Sequence, residues 1–240
     1  MNKLHIRSLA FGAVLSVAMA GSAVAGVISF ANLSAKTNSN LGDSYTVMQS
    51  GVSLTAYAVA SSNGTLSNSC LSGTTASSSN PCLFYKYTQG DLSETGLGLT
   101  PNVNNEIYNP NGVALVVNTP HEYLSGLEIG SVQTGESWAV WGCSMSNGMY
   151  SGCSNLDSGL GSSNNATVMV SGLNMTPYSA YIVTVPCANN SSCMDGTTDS
   201  SNNILVMSAT TVPEPGTLAL FGAGLLGFAF VLRRRRSPQR

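Results

Sequence analysis

The 240-residue chain has 43% hydrophobic and only 8% charged residues, 25 glycines and a formal net charge of −2, a composition that excludes a highly charged disordered chain. Its charge is unevenly placed. Arg233, Arg234, Arg235, Arg236 and Arg240 crowd the last eight positions, whereas Gly26 to Thr211 holds two cations, Lys36 and Lys86, against ten acids, so its formal charge is 2 − 10 = −8. Such a stretch cannot make the many phosphate contacts that nucleic-acid affinity needs, which excludes DNA or RNA as partner and leaves cations or neutral polar polymers.

The N-terminus reads as a charged lead with Lys3 and Arg7, an apolar run from Leu9 to Met19, and small residues ending in Ala23-Val24-Ala25. That order is a secretory signal peptide over residues 1–25, cleaved after Ala25 with Ala23 and Ala25 as the small pair; Ala18 and Ala20 offer an earlier cut. It predicts the secretion translocon and signal peptidase as partners.

From Gly26 to Thr211 short β-branched or alternating segments are separated by Ser, Asn, Gly and Thr, and no stretch sustains a helical period. Val52, Leu54, Ala56 and Ala58 alternate with Ser53, Thr55, Tyr57 and Val59, so one face is buried and the other carries hydroxyls. Further strands are expected near Ser44 to Gln49, Leu83 to Thr88, Val113 to Asn118, Leu127 to Val132, Ser137 to Gly142, Ala166 to Ser171, Ala180 to Val185 and Ile204 to Ala209. The pattern predicts one all-β domain over 26–211, an antiparallel β-sandwich of jelly-roll type.

Six cysteines fall in three local pairs, Cys70 with Cys82, Cys143 with Cys153 and Cys187 with Cys193. In an exported chain these read as disulfides closing polar loops, although six cysteines formally allow 15 connectivities. Zinc fits poorly, because no CxxC pair occurs and His121 is the one histidine of the body.

Several residue groups could carry chemistry. His121-Glu122 joins a histidine to a carboxylate, but no nucleophile elbow accompanies it, so loop polarity is the simpler reading. Asp91 with Glu94, or Glu106 with Glu122, could hydrolyse a glycosidic bond if their carboxyls stood about 5 to 10 Å apart. Asp195-Gly-Thr-Thr-Asp199 supplies oxygens to a calcium site, or is a solvated turn. Trp138 and Trp141, three apart on one strand, point to opposite faces; the outer one could stack on a sugar, with Tyr85, Tyr87, Tyr108 and Tyr150 extending the platform, or all could be sheet packing.

At the C-terminal end Val212-Pro213-Glu214-Pro215-Gly216 breaks regular structure, Thr217 to Leu232 form an apolar stretch of 16, and Arg233 to Arg236 follow. The stretch is shorter than the ~20 residues of a comfortable span, but snorkelling arginines let it cross a thin bilayer. The arginines then stay cytoplasmic and everything before them lies outside the inner membrane, in agreement with the signal peptide.

The three parts in this order, over about 29 of 240 residues, resemble a PEP-CTERM sorting signal. The resemblance implies that Pro213, Glu214 and Pro215 are read by an exosortase, a membrane-embedded cysteine peptidase, which removes the helix and arginines and sorts the body to the envelope or outside the cell. Such proteins typically come from Gram-negative bacteria that make exopolysaccharide. A second, weaker resemblance is carried by Gly96-Leu97-Gly98-Leu99-Thr100 with Asn105-Glu106-Ile107-Tyr108-Asn109-Pro110, which is similar to bodies found with such tails; those commonly carry an acid where Tyr108 stands. The function expected is a non-enzymatic, exosortase-sorted envelope or matrix protein associated with exopolysaccharide and biofilm, without a cofactor unless calcium binds. The alternatives are a secreted carboxylate-dependent glycoside hydrolase and a structural surface protein with no specific ligand.

Overall fold

A computed structural model describes residues 25–213 apart from 32, 34–36, 63–64, 71–74, 103, 174–177 and 187–202. Ala23, Glu214, Pro215, the apolar stretch, the arginines, Cys187, Cys193, Asp195 and Asp199 fall outside the described residues. The body is all-β. Its strands are β1 (Gly26–Ser29), β2 (Ser39–Gly42), β3 (Ser44–Gln49), β4 (Val52–Ser62), β5 (Thr65–Asn68), β6 (Cys82–Lys86), β7 (Gly96–Thr100), β8 (Gly112–Val117), β9 (Glu122–Val132), β10 (Ser137–Ser146), β11 (Met149–Leu160), β12 (Ala166–Ser171), β13 (Ala180–Thr184) and β14 (Leu205–Pro213), with a 3-10 turn at Leu92–Glu94.

Two antiparallel sheets share these strands. The first has the order β12-β9-β14-β7-β6-β2, with β1 added to β14; the second runs β3-β4-β5-β11-β10-β13-β8, and β4 also pairs with β8. The chain crosses between the two sheets at most connections. Alternation places Leu54, Ala56, Val113, Leu115, Val140 and Val183 of the second sheet against Leu97, Leu99, Leu127, Ile129 and Val206 of the first in one large core. Each aliphatic side chain so buried stabilises by about 1.5 to 3 kcal/mol.

The second sheet departs from an open sandwich layer. Val59 of β4 pairs with Asn68 of β5 on one side and Gly112 of β8 on the other, and β5 meets β11 through Leu66 with Tyr150 and Ser67 with Met149. The circuit β4-β5-β11-β10-β13-β8 therefore closes on itself. Inside it lies a second, smaller core of Val59, Leu66, Ala114, Cys143, Tyr150, Ala180 and Ile182. The Tyr150 hydroxyl donates to Asn68 Oδ1 at this junction, and burial pushes the Tyr150 phenol up. The Cys143–Cys153 disulfide joins β10 to β11 with Cα atoms 4.2 Å apart, and Cys70–Cys82 brings the chain after β5 to the start of β6 at 4.7 Å.

The glycines of β7 explain the Gly96-Leu97-Gly98-Leu99 alternation. A Cβ on Gly98 would lie 2.1 Å from Asn105 O and 2.8 Å from Glu106 Cα, and one on Gly96 would lie 2.6 Å from Val206 O. Leu97 and Leu99 face the core while the bare side of the strand admits the Asn105–Ile107 backbone, whose Ile107 bridges to Ile204. Gly98→Ala should therefore lower stability by about 3 kcal/mol, because the obstruction is backbone that cannot rotate away; urea unfolding of the purified body measures it, and an unchanged midpoint would contradict the packing described.

Candidate functional site

Two places on the body concentrate functional chemistry. The first is where the chain enters and leaves it. β1 starts at Gly26, directly after the expected signal-peptide cut, and pairs antiparallel with the end of β14: Gly26 with Thr211, Val27 with Thr210, Ile28 with Ala209 and Ser29 with Ser208. On its other side β14 pairs with the start of β9, Thr211 with Leu124, Val212 with Tyr123 and Pro213 with Glu122. The residue following one expected processing site and the residue opening the other thus lie on neighbouring strands at one end of one sheet. Thr211 is fully buried between them, and its Oγ1 donates to Gly26 O at 3.4 Å. Ala25 is exposed. Pro213, lacking an N–H, sits where a ladder can end without losing a donor.

The second place is a buried charge network on the first sheet. Lys86 Nζ, at the end of β6, donates to Glu94 Oε2 at 2.5 Å and to Glu106 Oε1. Ser131 Oγ of β9 lies 2.8 Å from Glu94 Oε1 and 2.7 Å from Glu106 Oε1. Ser131 occupies the left-handed region at φ 59°, a conformation that a serine holds only where its surroundings fix it. One hydroxyl hydrogen cannot serve two carboxylates fully, so Ser131 is shared between Glu94 and Glu106. Burial of Glu106 pushes its carboxyl above the ordinary 4.5, against the opposing pull of Lys86 and Ser131. Burial works against the Lys86 ammonium, yet the hydrogen bonds to Glu106 and Glu94 outweigh it and hold the group above 10.5. Nearby, Glu136 accepts from Gln133 N at 2.7 Å and Asn203 N at 3.2 Å, and burial raises it too. Asn102 ties the loop down by donating to Asn203 Oδ1 at 2.6 Å and Glu106 O at 3.2 Å.

Raised carboxyls set the sign of the pH response. Glu106 and Glu136 bind protons more tightly folded than unfolded, so their contribution is complete below the ordinary value of 4.5 and is lost as pH rises through their higher folded values. The melting temperature should fall over that window, and Glu106→Gln, permanently neutral, should flatten the fall. A profile equally steep in Glu106→Gln would contradict the assignment.

The expected acid pairs are arranged differently. Asp91 caps the 3-10 turn, accepting from Ser93 N at 3.0 Å and Ser93 Oγ at 2.6 Å, while Glu94 turns to Lys86. Glu106 lies against Ser131 near the end of β9 and Glu122 begins that strand; nine residues of strand is roughly 30 Å, so these two cannot share a glycosidic bond. The pair the fold assembles is Glu94 with Glu106. Lys86, flanked by few other cations in the sequence, was the signal that could have located it; Ser131 gave none.

His121 is exposed at φ 61°, immediately before β9, next to the exit of β14. The tryptophans do point to opposite faces. Trp138 lies in the main core at 6% exposure against Gly159, where a Cβ would meet its ring at 2.8 Å, so it offers no free face to a sugar. Trp141 is half-buried on the second core and donates Nε1 to Thr184 Oγ1 at 3.2 Å. Tyr85 and Tyr150 are buried, and Tyr87 and Tyr108 pack partly buried on the main core, so these six rings form no common exposed platform. Among the described residues no cluster of three or more His, Cys, Asp or Glu could hold a metal ion.

No curated protein and no solved structure matches the chain. A family model described as PEP-CTERM protein-sorting motif matches residues 211–236, beginning at the buried Thr211 of β14 and ending at the last arginine of the run. The chain therefore carries a PEP-CTERM sorting motif, the mark of an exported exosortase substrate sorted to the cell envelope, fused directly to the last strand of a two-sheet β-body.

Proposed function

We propose that the protein is a non-enzymatic component of the envelope or extracellular matrix, sorted by an exosortase and associated there with exopolysaccharide. The sorting motif at the end of β14 carries the reading, since it marks an exported protein. The body's chemistry supports a neutral polar partner. Its formal charge of −8 disfavours anionic ligands. On β3, β4 and the end of β8, exposed Thr46 and Asn118 and half-buried Ser53 carry hydroxyls and an amide around the buried Thr55: Thr46 Oγ1 lies 2.8 Å from Thr55 Oγ1, and Asn118 Nδ2 donates to Thr55 Oγ1 at 2.7 Å and Ser53 Oγ at 3.2 Å.

The Glu94–Glu106 pair supports the non-enzymatic side. Both carboxyls are held by Lys86 and bridged by Ser131, with side-chain exposures of 15% and 4%, an arrangement suited to pinning the Glu106 loop against β9. The test is co-sedimentation of the purified body, residues 26–213, with exopolysaccharide from the producing bacterium. Body-dependent retention with unchanged polymer length is expected. No retention, with self-association indifferent to sugar, would instead favour a structural surface protein, and shortened polymer would favour a hydrolase.

A further inference from the structure

β14 is held by two neighbours as far as Thr211 and by one beyond it. Thr211 is flanked by Gly26 and Leu124, whereas Val212 and Pro213 pair with Tyr123 and Glu122 of β9. The motif match starts at Thr211, so its first three residues belong to the folded sheet and the Pro-Glu-Pro element opens on the last paired residue. Peptide-binding grooves commonly take their target as an extended strand that spends its backbone hydrogen bonds on the groove. A backbone already paired must open first, and opening is easiest at a strand end held on one side.

The geometry points to the body's own sheet as the ruler for C-terminal processing: β14 keeps every bond through Val212–Pro213 closed to the peptidase, so the bond cut lies after Pro213, and fraying of Pro213 from Glu122 limits how fast the motif is read. This rests on the sorting motif and is independent of the polysaccharide reading. In the cut, the oxygen of water bonds to the carbonyl carbon, the C–N bond breaks and the departing amine takes the proton. The mature C-terminus then stays in register with β9, on the strand next to the one that begins at Gly26.

The experiment follows processing of full-length wild type and a variant with six Gly/Ser residues inserted between Thr211 and Val212, in the producing bacterium, by pulse-chase and by mass spectrometry of the mature C-terminal peptide. The insertion lies beyond the last doubly paired residue, and an unchanged melting temperature of the body verifies its fold. The wild type should end at Pro213 or later. The variant should be processed severalfold faster and retain the inserted residues. A wild-type C-terminus before Pro213 would overturn the ruler, as would a variant processed at the wild-type rate. Wild type still carrying Arg233 to Arg236 would overturn both the ruler and the sorting reading, an outcome distinct from the other two.

Discussion

Replacing Pro213, Glu214 and Pro215 together by alanine should abolish release: the protein stays in the membrane fraction with Arg233 to Arg236 attached, while wild type appears outside the inner membrane without them. Fractionation and immunoblotting in the producing bacterium measure this, and a variant released like wild type would contradict it. The effect should arise from lost recognition and not from a damaged body. Pro213 ends the β14 ladder at Glu122 and donates no backbone hydrogen bond, so alanine there should shift the body's stability by no more than about 0.5 kcal/mol. An unchanged melting temperature for the excised body separates the two causes.

Lys86→Met should produce a large loss of folding stability, about 3 kcal/mol, the lower end of the cost of removing one partner from a buried ion pair, because Lys86 and Glu94 keep side-chain exposures of 18% and 15%. The ammonium is the shared donor to Glu94 and Glu106, and without it Ser131 has one hydrogen for two buried carboxyls. The deficit has a definite pH dependence. Loss of the cation lifts the folded Glu106 carboxyl further above the ordinary 4.5, and a group with a raised folded value stabilises at low pH and ceases to do so as pH rises through that value. The variant should therefore lie closest to wild type in mild acid and furthest from it at neutral pH. Lys86→Met combined with Glu94→Gln and Glu106→Gln should recover most of the loss, since no charge is then stranded. Denaturant titrations at two pH values provide the check; a constant deficit would mean that Lys86 acts through packing alone.

The strands legible in the sequence were those with a two-residue hydrophobic period. β3 and β12 have the bounds that alternation suggests, and β4, β6, β8, β10 and β13 differ by a few residues at their ends. β9 begins at Glu122, five residues earlier than expected, because Glu122 to Gly126 pair with the end of β14 while only Leu124 among them adds an apolar side chain to the core. β11 was missed entirely. Met-Tyr-Ser-Gly-Cys-Ser-Asn-Leu-Asp-Ser-Gly-Leu has no apolar alternation, since most of the strand is open to water and it supplies a glycine to Trp138 in the main core and a tyrosine to the second core. The signal lay in the turn: Asn147 and Gly148 both have positive φ, 50° and 74°, the pairing that closes a two-residue hairpin.

β1, β2, β5 and β7 were too short or too glycine-rich to read. Closure of the second sheet was also hidden, because it depends on the brief contact of Leu66 and Ser67 with Tyr150 and Met149. For the site, composition and order located the sorting segment without any structure, as its parts are contiguous. The carboxylate network was illegible because Lys86, Glu94, Glu106 and Ser131 come from four separate segments, brought together by the glycine track of β7. What structure adds to the sorting segment is its start: Thr211 to Pro213, the first three matched residues, are the end of a paired strand whose other neighbour starts at Gly26.

The intact mass of the mature protein from the producing bacterium tests this account most directly. A chain that begins at Gly26 and ends at or just after Pro213, recovered outside the inner membrane, is the predicted result. A mass that still includes Arg233 to Arg236 would contradict it and make the protein a tail-anchored membrane protein.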